Sequence, residues 1–210
     1  MRQQRSLIET ITDEALTLSL LAEAESVPNA PTIDRLRLQK LIYQVAYTWF
    51  ERRWKGFNYA FFRYRHGPFT KDLYQTEVDL AAAGLIQGGN GWAIGLSADG
   101  RELAEQLIER VWLAGDNSIF WNELRGIIRE HAAMSTPALI SKIYASDTMP
   151  IGWREAWPLS DLPVGVDLTR ILEDEESAAA LEMPPEWVDT FGLTIARASE
   201  GHDLERLHAV

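Results

Sequence analysis

One amphipathic stripe within residues 32–50 constrains the fold more than any other feature of the chain. Apolar side chains recur there at intervals of three and four residues, which places them on one face of a helix. The stripe consists of Leu38, Leu41, Ile42, Val45, Ala46, Trp49 and Phe50. We therefore predict a central core helix in this region, with Thr32 as its N-cap.

A helix is also predicted within the first 30 residues. Ser6 and Glu9 have the spacing of a capping box, in which each side chain accepts a hydrogen bond from the other residue's backbone N–H. The expected buried stripe begins at Leu7 and Ile8. Two prolines in the segment 26–31 cannot lie inside a continuing helix, so the helix ends there.

The aromatic segment that follows the core helix predicts a short strand over 58–66, ending at a Gly67-Pro68 turn. A helix is then expected over 71–83, with Thr70 as N-cap and Gly84 in the position after the helix that favours glycine. The side chains expected on its buried side are those of Tyr74, Val78 and Ala81, flanked by Leu73 and Leu80.

Residues 85–94 predict a β-hairpin around an Asn-Gly turn, and further helices are expected at 97–112, 118–133 and 137–146. The order helix, helix, strand, helix and hairpin is that of a winged helix-turn-helix. The predicted fold class is mainly α with a small β-hairpin or wing (α+β), built as a winged helix-turn-helix-like core plus C-terminal helices.

The chain is divided by composition into three parts. Residues 1–146 are predicted to form the winged-helix-like core with its packing helices. Residues 147–165, which are rich in Pro, Gly and Trp, are a predicted linker. Residues 166–210 are predicted to form an acidic helical appendage, with helices at 167–182 and 186–199.

Composition excludes several classes of protein. The chain has no cysteine, which excludes disulfides, thiolate zinc sites and cysteine nucleophiles. No apolar run approaches the roughly 18 residues that a membrane span needs, and the N-terminal residues lack the apolar core of a signal peptide. We expect a cytoplasmic protein that does not bind membranes.

The net charge of −11 conceals an uneven distribution. Residues 35–71 carry nine basic side chains and one acidic one, whereas residues 161–210 carry twelve acidic side chains and three arginines. Such asymmetry is typical of a protein that binds partners, or of a chain in which one end covers the other. Solvent exposure alone explains the pattern equally well.

No arrangement of residues predicts catalysis. The four histidines have no metal-ligand spacing, and the chain lacks a nucleophile elbow, a phosphate-binding loop and a dinucleotide-binding fingerprint. We therefore expect no enzymatic activity, no cofactor and no metal site.

Aromatic and basic residues are concentrated in one part of the chain. Twelve of the 21 aromatic side chains lie between residues 43 and 74. Most of these rings are expected in the core, and the others are expected to form a surface patch that binds a protein partner. Arg63 and Arg65 lie on one face of the predicted strand, with His66 beside its turn. The candidate partner-binding residues are Tyr47, Trp54, Phe57, Arg63, Arg65 and His66.

A second set of basic residues is a candidate for binding nucleic acid. These side chains lie near the ends of the predicted helices, where they can contact phosphates of a duplex. The set consists of Arg35, Arg37, Lys40, Arg52, Arg53, Lys55 and Lys71. The predicted helix 71–83 argues against insertion into DNA, because it carries three carboxylates and one lysine.

Three sequence motifs resemble the Panacea (SocA-like, phage-associated) domain family. They are Leu-x-Lys-Leu-Ile-Tyr at 38–43, Tyr-x-x-Gly-Pro at 64–68 and Gly-Leu-Ile at 84–86. The resemblance covers about residues 36–86, extending toward 110 through Leu-Ser-Ala-Asp-Gly at 96–100, and excludes the acidic tail. It implies an antitoxin or adaptor that binds and neutralises or presents a toxin protein.

The sequence is therefore compatible with two functions. The first is a non-catalytic protein-binding module of antitoxin or adaptor type, and the alternative is a winged-helix DNA-binding transcriptional regulator. A related hypothesis is that the acidic tail covers the basic segment 35–71 and must be displaced by a partner. The tail also has enough apolar residues to complete the core instead.

Overall fold

The protein is described by a computed structural model that covers residues 5–88, 93–148, 150, 154–169, 171–172 and 176–195. Within this part of the chain the fold is mainly α-helical, with short strands paired two by two. The helices are α1 Leu7–Ser26, α2 Arg35–Glu51, α3 Asp72–Ala82, α4 Ala98–Leu107, which continues as a π-helical turn Ile108–Trp112, α5 Asn117–Ala132, α6 Thr136–Ala145 and α7 over 185–195.

The strands form three antiparallel pairs and one parallel pair among the described residues. The antiparallel pairs are β2 Phe62–Tyr64 with β3 Gly67–Phe69, β4 Ile86–Gly88 with β5 Ile94–Leu96, and β6 Asp147–Thr148 with β7 Trp157–Pro158. The parallel pair joins β1 Trp54–Lys55 to β8 Ala179–Ala180. The expected fold class, mainly α with small β-hairpins, is confirmed at this level.

Two long helices, α1 and α2, form the centre of the core. The capping box of α1 is present, since Ser6 and Glu9 each accept from the other's backbone N–H. Leu7 and Ile8 were expected on the buried stripe but are exposed, so the buried part of the stripe begins at Ile11. The α2 stripe is buried as predicted except for Phe50, which is half-buried.

The N-cap of α2 is Asp34, and the predicted N-cap, Thr32, is wrong. The carboxylate of Asp34 accepts a hydrogen bond from the backbone N–H of Arg37 at 2.7 Å, the usual role of an N-cap side chain. Thr32 lies two residues earlier and is exposed. Both residue types are good caps, and the helix begins at the later one.

The aromatic segment after α2 forms a hairpin whose turn differs from the prediction. Strands β2 and β3 are joined through Arg65 and His66, and Gly67 and Pro68 are the first residues of β3. Gly67 has φ = 90°, a left-handed conformation that favours glycine, where the chain enters β3. The turn therefore presents Arg65 and His66, both exposed, at the tip of the hairpin.

Helix α3 has the predicted extent, and Leu73 and Leu80 are buried as predicted, but the rest of its buried face differs from the prediction. Tyr74 and Val78, expected on the buried side, are 41% and 59% exposed. The buried side chains are those of Leu73, Thr76, Glu77 and Leu80, which also have helical spacing. The burial of Thr76 is tolerated because its hydroxyl forms a hydrogen bond with that of Tyr59 at 3.0 Å, which replaces the water it loses.

The end of α3 follows the prediction. Gly84 has φ = 69°, its N–H donates to the carbonyl of Ala81, and the N–H of Leu85 donates to the carbonyl of Leu80. This pair of hydrogen bonds is a Schellman motif. It turns the chain directly from α3 into the β4–β5 hairpin, whose tip lies outside the described residues.

The sequence predicted the first tail helix over 167–182, but the described residues in that range (167–169, 171–172 and 176–182) form no α-helix. The backbone of this part of the tail bonds to the segment 53–63, with Leu168 N–H donating to the Phe61 carbonyl and Leu181 N–H to the Lys55 carbonyl. The tail thus supplies partners to backbone groups that would otherwise lie at an open edge. Neighbouring stretches of the chain contribute buried side chains to the same core, namely Leu159, Leu162, Leu168, Met183 and Phe191.

The second tail helix is present as α7, over 185–195, and its predicted end at 199 lies outside the described residues. Phe191 is fully buried, and Gly192 lies so close to Ile11 of α1 that an added Cβ would be 3.0 Å from it. The tail therefore packs on α1. In the described part of the chain, no helix is both long and apolar enough to cross a membrane.

Candidate functional site

A surface groove lies between the N-terminal half of α2, the β2–β3 hairpin and the start of α3. Its volume is about 310 Å³. The helices and the hairpin contribute nine lining residues, none of them acidic. We call it the hairpin groove, lined by Arg35, Leu36, Gln39, Lys40, Tyr64, His66, Gly67, Phe69 and Tyr74.

A row of aromatic rings runs along the groove. Phe69 lies between Tyr64 and Tyr74, with ring centroids 5.3 Å and 5.8 Å apart, and Phe62 extends the row at 5.1 Å from Phe69. Tyr64 and Tyr74 are each 41% exposed. Val78, one turn after Tyr74 on α3, continues the exposed apolar surface. Exposed rings held in fixed positions are typical of partner-binding surfaces.

Arg35 covers one end of the aromatic row. Its guanidinium lies 4.1 Å from the centre of the Tyr74 ring, and its Nε donates to both carboxylate oxygens of Glu77 at 2.9 Å and 2.7 Å. The hydrogen bond that Arg35 donates to Glu77 raises the pKa of Arg35. The positive charge of Arg35 is therefore already paired within the protein, and the residue mainly positions Tyr74.

Lys40 lies at the base of the groove and is 2% exposed. Its Nζ donates to the carbonyl of Pro68 at 2.7 Å. Among the described residues, no carboxylate lies within ion-pair distance of this ammonium group. Burial, aided by the neighbouring charge of Arg63, lowers the pKa of Lys40 to about 7.

Arg63 is buried beside the base of the groove. Its guanidinium donates to the carbonyls of Leu159, at 3.1 Å, and of Tyr64, and lies 4.8 Å from the centre of the Tyr144 ring. The Tyr144 hydroxyl donates to the carbonyl of Arg65 at 2.7 Å. These contacts fix the hairpin, so Arg63 is a positioning residue and not the exposed contact that the sequence predicted.

Arg65 and His66 are both exposed in the β2–β3 turn, and His66 lines the groove, whereas Arg65 was predicted on a strand face with Arg63. The other candidate partner-binding residues lie elsewhere. Phe57 was expected on the surface but is 3% exposed, stacked between Trp49 and Tyr59. This prediction of exposure was wrong because the ring fills the core below α2.

Tyr47 and Trp54 are half-buried and lie outside the groove lining. The Tyr47 hydroxyl donates to the carbonyl of Asp147 at 2.8 Å, and burial raises the pKa of the Tyr47 phenol. Trp54 lies between Arg52, 5.3 Å from its ring, and Phe120, at 5.0 Å. Both side chains therefore help to join segments of the fold.

The candidate nucleic-acid-binding residues do not form one surface. Arg37 is fully buried and donates to the carbonyls of Ala132 and Met134 at the C-terminal end of α5, so its predicted phosphate contact is wrong. Lys40, buried in the groove, is likewise not available to a duplex. Arg35 is paired with Glu77, as described above.

The other four basic residues of that set lie toward the surface. Arg52 pairs with Glu123 at 2.7 Å, and the Arg53 guanidinium donates to the carbonyl of Glu176 in the tail at 2.7 Å. Lys55 is half-buried in β1. Lys71 is exposed immediately before α3. The tail thus contacts the basic segment at Arg53, as one hypothesis anticipated.

A separate cluster of carboxylates is buried between α1 and α3. Asp13 accepts from Arg5 at 2.9 Å and from the backbone N–H of Asn58 at 2.8 Å. Glu14 is 2% exposed, and burial together with the nearby Asp79 raises the pKa of the Glu14 carboxyl to about 8. This cluster lies outside the groove lining, and its burial affects the free energy of unfolding of the protein.

Sequence reasoning missed the groove's aromatic residues. Tyr64 and Phe69 were not singled out, and Tyr74 was assigned to the core. The spacing of Leu73, Thr76, Glu77 and Leu80 would have found the buried face if threonine and glutamate had been accepted as buried residues. Comparisons with protein-family models, with curated proteins and with solved structures found no match to this chain.

Proposed function

We propose that the protein is a non-catalytic protein-binding module of antitoxin or adaptor type, which neutralises a partner protein by direct contact. The observation that carries the proposal is the hairpin groove with its exposed aromatic row. Tyr64, Phe69 and Tyr74 offer a large ring surface held by the hairpin and by Arg35. Side chains fixed in this way lose little conformational entropy on binding.

The proposed fold relation is to the winged helix-turn-helix of the Panacea family. The motifs at 38–43, 64–68 and 84–86 support it, because the first two line the groove and the third leads from α3 into the β4–β5 hairpin. In this proposal β4 and β5 are the wing. A cytoplasmic location follows from an antitoxin role and stays a prediction.

A DNA-binding regulator is the weaker alternative. Arg37 and Lys40 are buried, Arg35 and Arg52 are paired with glutamates, and α3 exposes Tyr74, Gln75 and Val78. A helix that enters the major groove needs donors for base edges and cations near phosphates. The exposed face of α3 is better suited to a protein surface.

Affinity capture with the tagged full-length chain tests the proposal. The chain is used in extracts of its native host, with and without nuclease, alongside the variants Tyr74→Ser and Val78→Ser. Matched controls are Leu113→Ser and Ile119→Ser, since both wild-type side chains are 45% exposed outside the groove. A hot-spot tyrosine contributes about 2 kcal/mol, so Tyr74→Ser should weaken capture roughly thirtyfold.

The expected result is one protein recovered in both nuclease arms, retained by the control variants and lost with the groove variants. Retention of that protein by both groove variants would refute the proposed surface. Recovery of specific DNA, with co-purifying proteins lost after nuclease treatment, would favour the DNA-binding regulator.

A further inference from the structure

We infer that the hairpin groove is a receptor for a carboxylate, and that the partner presents an aspartate or glutamate whose side chain enters the groove and pairs with Lys40. An apolar neighbour of that acidic residue would pack on the row of Tyr64, Phe69 and Tyr74. The inference rests on the proposed function and adds the chemistry of the partner's contact.

The first support is that the ammonium group of Lys40 has hydrogen-bond donors that no described group accepts. An ammonium group has three N–H donors, and the one described hydrogen bond of Lys40 goes to the Pro68 carbonyl. Two donors remain for a ligand. A buried ammonium group is costly unless it is paired, so an entering carboxylate would supply the missing partner.

The second support is that another buried cation, Arg63, lies near Lys40. The charge of Arg63 is near enough to lower the pKa of Lys40, and its described hydrogen bonds go to backbone carbonyls alone. None of the nine lining residues is acidic, and Glu77 is held by Arg35. The groove is therefore locally positive although the whole chain has a net charge of −11.

The number of donors selects a carboxylate over a phosphate. A phosphate monoester carries about two negative charges and three strongly accepting oxygens, and it is usually held by several donors. Among the residues that line the groove, Lys40 is the buried cation whose described hydrogen bond leaves N–H donors unused, and Arg63 lies outside the lining. The amide of Gln39 is already used, since it donates to the carbonyl of Thr70 at 2.8 Å and accepts from the Thr70 N–H at 2.9 Å.

The size of the groove fits one side chain with a neighbour. Its volume of about 310 Å³ lies at the lower end of the range for ligand pockets, roughly 300–1,000 Å³. A carboxylate at the base and an apolar side chain on the rings would occupy such a space. An acidic residue flanked by an apolar one is therefore the expected recognition element of the partner.

The test uses the full-length chain and two blocked dipeptides, acetyl-Asp-Leu-amide and its uncharged isostere acetyl-Asn-Leu-amide. Binding is followed by NMR of the ε-carbons of the four lysines, Lys40, Lys55, Lys71 and Lys142. The titration is run at pH 6, where a lysine of pKa about 7 is mainly charged. The Asp peptide should shift the Lys40 resonance and raise its pKa, and the Asn peptide should do neither.

Two variants attribute the effect to Lys40. Lys40→Met removes the charge at similar length and should weaken binding of the Asp peptide at least about tenfold, the usual loss for a hydrogen bond to a charged group. Lys71→Met removes the same charge from an exposed position outside the lining and should leave binding unchanged. Lys40→Gln keeps a donor for Pro68 and serves if the Met variant does not fold.

Equal responses to the two peptides, unchanged affinity in Lys40→Met, or a response to inorganic phosphate at lower concentration than to the Asp peptide would each overturn the inference. Failure here and failure of the proposed function are distinguishable. If Tyr74→Ser loses the captured partner while the Asp peptide leaves Lys40 unshifted, the carboxylate receptor is wrong and partner binding stands. If the Asp peptide binds but the wild-type chain captures no protein in either nuclease arm, the receptor stands and the proposed function is wrong.

Discussion

Replacing Glu14 with glutamine should stabilise the protein, and the gain should depend on pH in a defined way. The Glu14 carboxyl is 2% exposed, and its pKa is raised from 4.5 to about 8, first by burial and then by Asp79. Between pH 4.5 and pH 8 the unfolded chain has released this proton while the folded chain retains it. The folded state therefore loses stability relative to the unfolded state as the pH rises through this window.

The magnitude follows from the difference between the two pKa values. Each pKa unit corresponds to about 1.4 kcal/mol, so the cost of burying Glu14 is close to zero at pH 4, roughly 3 kcal/mol at pH 7 and about 4 to 5 kcal/mol above pH 8. Glutamine has nearly the same shape, does not ionise and can still donate to Asp79. A gain of this size corresponds to a rise in Tm of about 6–12 °C at pH 7.

Thermal and urea unfolding of Glu14→Gln and wild type, at intervals from pH 4 to pH 9, measure the difference directly. Glu105→Gln is the matched control, because Glu105 is exposed on α4. The Glu14→Gln curve should separate from the wild-type curve above pH 4.5, while the control curve follows the wild type. A difference that stays constant across this range, or a variant less stable at pH 8 than the wild type, would show that burial does not raise the pKa of Glu14.

Two further predictions concern packing and are tested by urea unfolding. Phe191→Ala should lower the free energy of unfolding by about 3–5 kcal/mol because the ring is fully buried. The control Leu193→Ala, at a 54% exposed position, should change it by less than about 0.5 kcal/mol. Equal effects of the two substitutions would show that α7 does not complete the core. The Gly100→Ala protein should be severely destabilised, because the added Cβ would lie 1.8 Å from the Leu85 carbonyl oxygen. The Gly126→Ala protein should be stabilised by about 0.5–1 kcal/mol, because the added Cβ lies in open space within α5. A stable Gly100→Ala protein would contradict the close approach of α4 to the start of the β4–β5 hairpin.

Local sequence rules predicted the features of the fold that depend on neighbouring residues. The capping box of Ser6 and Glu9, the Schellman turn at Gly84 and the cap at Ser97 each need only a few adjacent residues, and each is present. The stripe of α2 was also predictable because its apolar side chains repeat over four turns.

Long-range contacts account for the features that were wrong. Thr76 and Glu77 are polar, yet both are buried, because hydrogen bonds with Tyr59 and Arg35 compensate for their loss of water. Tyr74 and Val78 face outward as a result. The tail segment around Leu168 has a pattern compatible with a helix. It is extended because the carbonyl of Phe61 accepts from its backbone. Neither partner is visible in the local sequence.

The candidate site was predictable in part for the same reason. The strand pattern predicted His66 near a turn, and it lies in the β2–β3 turn, whereas Arg65 was predicted on a strand face with Arg63 and lies in that turn instead. Lys40 was assigned to a phosphate-binding set because a lysine on a helix is usually exposed. Its burial at the base of the groove results from the return of the β2–β3 hairpin onto α2, where Pro68 accepts its hydrogen bond.

Site-specific photo-crosslinking tests the central claim, that the hairpin groove is the partner-binding surface. A photoreactive phenylalanine analogue is placed at Tyr74, and in a separate protein at Glu105, which is exposed outside the groove. Each protein is irradiated in host extract after nuclease treatment. We expect one discrete protein adduct from position 74 and none from position 105. An adduct from position 105 together with none from position 74 would contradict this claim.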